Sequence, residues 1–70
     1  MMYKLVITSG SGPSRKVESK LYWMTQVGLH KAEDDFEQLT HKHGVTKLLL
    51  WRQDVHGTHE LKRWERDEQN

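Results

Sequence analysis

The chain predicts a two-layer α+β fold, ββαββ, with a four-stranded antiparallel sheet in the order 2-1-3-4 and one amphipathic helix on one face. Three observations lead there. The run Val45 to Trp51, VTKLLLW, is the most apolar stretch of a polar sequence. Residues Leu29, Ala32, Phe36, Leu39 and His43 fall on one helical stripe. Each flank carries two strand-like segments joined by a short glycine-bearing loop. In a pleated strand Leu48 and Leu50 point one way, Leu49 and Trp51 the other. One helix covers only one side, so the second side poses the functional question.

Seventy residues make one small domain, expected over residues 1–64, with ERDEQN at 65–70 a frayed acidic tail. Without cysteine, neither disulfides nor thiolate zinc ligation can staple the fold. The hydrophobic fraction is 34% and the mean hydropathy −0.90. Such values are low for a globular chain, but the apolar residues are clustered and patterned, which argues for folding. No apolar run approaches a membrane span, and MMYKLVITSG lacks a signal peptide's apolar region, so a cytoplasmic location is the expectation. The net charge of +1 is unevenly spread. Residues 1–22 with 45–64 hold eight Lys or Arg against three acids, and the remainder three against seven. A basic sheet and an acidic helix follow, a pointer to an anionic partner unless both signs simply serve solvation.

Tyr3 to Thr8 reads as the first strand, with Tyr3, Leu5 and Ile7 on one face. SGSGPS then breaks it; the Walker pattern is absent, so the stretch reads as a hairpin loop rather than a phosphate loop. Residues 15–23 satisfy two patterns. Val17, Leu21 and Met24 have helical spacing, with Ser14 a possible cap, whereas Val17, Ser19, Leu21 and Trp23 alternate as in a strand. The aromatic pair Tyr22 and Trp23 and the short connection favour the strand. Pairing Ile7 with Val17 and Tyr3 with Leu21 aligns apolar faces but sets Lys4 against Lys20.

After a loop around Thr25 to Gly28 comes the helix, ended by Gly44, with Val45 folding back onto Leu39. The third strand runs to Gln53 and turns at Asp54, Val55, His56 and Gly57, a type I turn with a glycine bulge. Trp51 then pairs with Leu61, Arg52 with Glu60 and Leu48 with Trp64. One face collects Leu49, Trp51, His59 and Leu61; the other collects Leu48, Leu50, Arg52, Glu60, Lys62 and Trp64. The mid-strand charges mark the second face as open. A two-residue turn would instead place Trp51 and Trp64 on the same face. Strands apolar on both sides belong in the centre and lysine-rich ones at the edges, giving 2-1-3-4, with 2-1-4-3 as the alternative.

Three constellations invite chemistry. His41 and His43 lie about 200° apart on a helix and cannot readily share a metal, while His56 and His59 could, with Asp54 or Glu60, but no third ligand is defined. His59 beside Arg52, Lys62 or Arg63 would suit a small ribonuclease, although no second catalytic group stands out. The run Glu33, Asp34, Asp35, Glu37 lacks the spacing and glycine of a calcium loop. No catalytic residue, metal or cofactor is therefore expected.

The expected open face is the stronger candidate. It gathers Val6, Tyr22, Leu48, Leu50, Arg52, Lys62 and Trp64 as a partner-binding surface, for a protein partner or a second copy. The alternative is single-stranded nucleic acid on the same face, held by Lys4, Lys16, Lys20, Arg52, Lys62 and Trp64. Trp64 folded over Leu48 would need no partner at all. The start MYKLVITSG, the helix ending in KHG, and VTKLLLWRQDVHG resemble small ββαββ proteins encoded by phages and prophages. That resemblance implies an accessory protein that binds and modulates a host component, with no catalytic residues to carry over.

Overall fold

A computed structural model describes residues 1–66. Strands β1 (Met2–Ser9), β2 (Lys16–Trp23), β3 (Val45–Asp54) and β4 (Gly57–Glu65) form one antiparallel sheet in the order β2-β1-β3-β4. A single helix, α1 (Gln26–Leu39), lies across β2, β1 and β3. The ββαββ architecture and its strand order are those the sequence predicts. Residues 16–23 are strand, and the helical feature before them is one 3-10 turn, Gly12–Ser14, with Pro13 as its second residue.

Thr25 caps α1, its hydroxyl accepting from the Gly28 amide at 2.9 Å. The helix begins ahead of Gly28, which therefore belongs to its first turn. A Cβ at Gly28 would stand 1.9 Å from the Trp23 carbonyl oxygen, so only glycine lets the helix sit this close to the end of β2. Gly28, Ala32 and Phe36 are buried, and Leu29 and Leu39 half-buried. The stripe stops there. Thr40 closes the helix, its hydroxyl donating to the Glu37 carbonyl at 2.6 Å, and His43 lies exposed in the following turn. Gly44, at φ 94°, completes that turn.

The core is Leu5, Ile7, Tyr22, Ala32, Phe36, Val45, Leu48 and Leu50, with Tyr3, Leu39 and Trp64 packed against it. Val45 and Leu48, three apart, would face opposite sides of a regular strand. A bulge reconciles them: Thr8 pairs with Lys47 and Ser9 with Val45, leaving Thr46 as the extra residue. Its hydroxyl donates toward the carbonyls of Thr8 and Gly10, at 3.3 and 3.4 Å.

Two registers differ from expectation, and each turns part of an edge strand to the other face. In the first hairpin Ile7 pairs with Glu18 and Tyr3 with Tyr22, one residue away from the expected pairing. That slip turns Val17 and Leu21 outward and Tyr22 inward, and relieves the Lys4–Lys20 opposition by setting Lys4 against Leu21. In the second hairpin Leu48 does pair with Trp64, but Leu61 is bulged, so Trp51 meets Glu60 and Arg52 meets His59. The loop is the two residues Val55 and His56; neither has positive φ, and Gly57 takes it at 118°. Trp51 and Trp64 stay on opposite faces.

β4 continues through Glu65, beyond the expected domain end. The Arg66 amide donates to the Thr46 carbonyl, and its guanidinium to the carbonyls of Val45 and Lys42. The rest of the expected tail, 67–70, lies outside the described residues.

Candidate functional site

The helix covers the side of β3 that carries Leu48 and Leu50, both with no exposed surface. Most residues expected on an open face are therefore on the covered one. Tyr22 is buried beside α1, and its hydroxyl donates to Asp35 Oδ2 at 2.6 Å. Burial, reinforced by the hydrogen bond to Asp35, pushes this phenol well above its ordinary range. Lys62 holds its ammonium 5.0 Å from the centre of the Phe36 ring, and Arg66 stacks over Trp64 at 5.2 Å. Lys20 bridges to Asp35 at 3.5 Å, and Lys16 lies on the same side of β2.

The mid-strand charges misled for a geometric reason. The backbone of α1 lies over β2, β1 and β3, and β4 meets the helix only at its margin, through side chains such as Lys62 over Phe36. Charges on the covered side of β4 and at the far end of β3 therefore remain in water, and a charged position does not mark an uncovered face. Of the expected site residues, only Val6 and Lys4 belong to the open side.

That open side is a different set. Across the sheet run the rows Trp23, Met2, Gln53; then Leu21, Lys4, Trp51; then Ser19, Val6, Leu49, Arg63; then Val17, Thr8, Lys47, Glu65. Leu61, bulged from β4, adds to the apolar surface. Trp23 is 75% exposed, Val17 58%, Leu21 57% and Leu61 42%, while Val6, Leu49 and Trp51 are half-buried by their neighbours alone. Beyond Trp23 the apolar surface turns the sheet edge to Val27, 76% exposed, along a groove of about 390 Å³. Arg63 is engaged by Glu60 at 2.9 Å and Glu65 at 3.4 Å, which holds its guanidinium above its usual range. Lys4 and Lys47 make no ion pair among the described residues.

Sequence reasoning missed Trp23, Leu21, Val17 and Leu61 as a surface. The alternation of Val17, Ser19, Leu21 and Trp23 was legible, but which side it faced turned on one residue of register.

The histidines are dispersed. His41 pairs with Glu37 at 3.6 Å, and His43 and His56 are exposed in turns. His59 does meet Arg52, but both converge on Asp54: Arg52 Nε lies 2.9 Å from its carboxylate and His59 Nε2 3.9 Å. The Asp54 side chain is only 7% exposed and also accepts from the His56 amide at 2.8 Å. That amide, followed by Arg52 and His59, holds the carboxyl below its usual range against the opposing effect of desolvation. The cluster pins the hairpin turn, and Asp54 takes up the guanidinium that a phosphate clamp would need. Among the described residues, no three His, Asp or Glu side chains converge as metal ligands, and no helix is long and apolar enough to cross a membrane. No known protein family, curated protein or solved structure matches the chain.

Proposed function

We propose that this chain is a non-enzymatic binding module that takes a protein partner on the open face of its sheet. The observation that carries the reading is the uncovered apolar side of a four-stranded sheet, with Trp23, Leu21, Val17 and Leu61 exposed around Trp51, Leu49 and Val6. Four strands about 4.8 Å apart and about eight residues long, at about 3.3 Å each, span roughly 500 Å². The apolar residues share that area with Lys4, Lys47, Ser19, Gln53 and Arg63, so the apolar patch is a part of it, of the size of the largest patches on monomers, which are often functional. Indole rings, leucines and a single arginine suit a protein interface, and the pairing of Arg63 with two glutamates lowers its desolvation cost. The resemblance to small phage and prophage proteins supports a cytoplasmic accessory role in which this face docks on a host component.

A photo-crosslinking residue at Trp51 should capture a partner, and the same residue at Lys42, beyond the helix, should not. The double variant L21S/W23S should lose that capture while keeping its circular dichroism spectrum. Capture that is equal from both positions, or absent from both, defeats the proposal.

Single-stranded nucleic acid is the second reading, favoured by Trp23 and Trp51 on one face with Lys4 and Lys47. Under it, K4E/K47E weakens binding and flattens its salt dependence. Glu60 and Glu65 on the same side weigh against it.

A further inference from the structure

We infer that a second copy of this chain pairs antiparallel with the outer edge of β2, joining two sheets into one eight-stranded sheet about a two-fold axis at Ser19. Among the described residues β2 is an edge strand paired only with β1, in an unbroken register from Lys16 to Trp23. Its residues Lys16 to Leu21 are all exposed. An edge of this kind is a template for another strand unless bulges, prolines or charged side chains blunt it; Lys16, Glu18 and Lys20 turn away strands that do not match their charges and leave a charge-complementary strand as the partner. β2 has neither bulge nor proline. The opposite edge, β4, is bulged at Leu61, so its side chains do not alternate regularly along its length.

The charges of β2 then select a partner. Lys16, Glu18 and Lys20 alternate along the side facing α1. When β2 pairs with itself about Ser19, Glu18 of each copy lies opposite Lys20 of the other, and Val17 lies opposite Leu21 on the open side. Centring the axis on Glu18 sets Glu18 against Glu18 and Lys16 against Lys20. Centring it on Lys20 sets Lys20 against itself. A two-fold axis perpendicular to the sheet keeps both helices on one side and centres on a residue, so the choice lies among these positions. A Val17 axis also sets Lys16 against Glu18 and Val17 against itself, but it overlaps only residues 16–18 of the two strands, whereas the Ser19 axis overlaps residues 16–22 and joins opposite charges and two apolar pairs. The symmetric, isologous contact closes on two copies and leaves the bulged edges outside.

The helices do not obstruct this arrangement. α1 lies across β2, β1 and β3, so each helix is centred near its own β1. The two β1 strands would be three strand spacings apart, about 14 Å. Packed helices require only about 8–10 Å between axes. Glu18 and Lys20 also border an open cleft of about 330 Å³ beside α1, where a facing side chain has room. Joined this way, the two open faces become one continuous surface with Val17 and Leu21 at its middle. Val17, Ser19 and Leu21 belong to both surfaces, but Glu18 and Lys20 lie on the side facing α1, so charge reversal at those two tests the edge and leaves the open face as it is.

Sedimentation equilibrium of the full chain tests the pairing by charge exchange. The wild type should be a dimer whose dissociation constant rises about tenfold or more in K20E and in E18K, each of which sets like charges opposite one another. An equimolar mixture of the two variants should form heterodimers, and E18K/K20E should recover the dimerisation lost in either single variant, short of the wild type by the Lys20–Asp35 bridge that it also removes. S19C supplies a readout independent of both charges: with no other cysteine in the chain, mild oxidation should link S19C dimers rapidly and V17C dimers slowly. A wild type monomeric at millimolar concentration overturns the inference. So does a dimer indifferent to single charge reversal, or S19C chains that link no faster than V17C chains. None of these results bears on capture from Trp51, which reports the face alone.

Discussion

The two faces of β3 are built from nearly the same residues and have opposite fates. Leu48 and Leu50 are fully buried under α1, while Leu49 and Trp51, one position away, are half-exposed with no element of the described residues over them. Composition does not separate the faces; the cover does. The covered side has Phe36 and Ala32 above it and spends its charges at the periphery, on Asp35, Phe36 and Asp54. The open side keeps indoles and leucines in contact with water. A core strand apolar on both faces in a two-layer fold thus leaves one face to be explained by something other than folding.

The contrast is broken most directly by truncating neighbours. Leu50→Ala should cost about 2–5 kcal/mol of stability because it leaves a cavity under the helix, while Leu49→Ala should cost about 1 kcal/mol or less. Urea denaturation of the two variants measures the difference; equal losses would mean that the faces are alike in the folded chain.

Gly28→Ala sharpens the role of the helix seat. Helix propensity alone favours alanine by about 1 kcal/mol, but the Trp23 carbonyl occupies the space its Cβ needs, so destabilisation of about 1–3 kcal/mol is expected. The sign of the change in denaturation midpoint decides between them.

Tyr22→Phe removes the hydroxyl that ties edge strand to helix and should cost about 1 kcal/mol near neutral pH. Because folding raises the Tyr22 pKa, its contribution is complete below the unfolded value of about 10 and is lost as pH rises beyond it. Wild type should therefore lose stability in alkali more steeply than the variant, and thermal melts above that pH test it.

The smallest effect belongs to Asp54. Its folded pKa is lowered, so its contribution is present above the unfolded value of about 3.9 and fades as pH falls through the folded one. Asp54→Asn should flatten the acid limb of the stability profile; an unchanged limb would remove Asp54 as the pin of the turn.

Much of the fold was legible in the residues. The stripe Ala32, Phe36 marks the helix, Gly-bearing loops separate the strands, and VTKLLLW demands a central position. The candidate site was much less so. Leu48, Leu50 and Trp64 were expected outside because charges at Arg52 and Lys62 mark their face, and Tyr22 because of the first-hairpin pairing; local sequence does not say how far one helix reaches across a sheet. Trp23 and Leu21 were expected inside on a pairing wrong by one residue.

What the sequence alone determined is the set of elements, their order and their antiparallel pairing, because periodicity and turn chemistry act within a few residues. What only the tertiary structure decided is which way each strand faces. A strand reverses its faces with every residue of register, and the bulges at Thr46 and Leu61 and the loop before Lys16 each change the count by one. With Leu48 and Leu50 on one side and Leu49 and Trp51 on the other, both choices bury similar apolar surface. The seat of α1 against Gly28 and the Tyr22–Asp35 hydrogen bond belong to one of them alone.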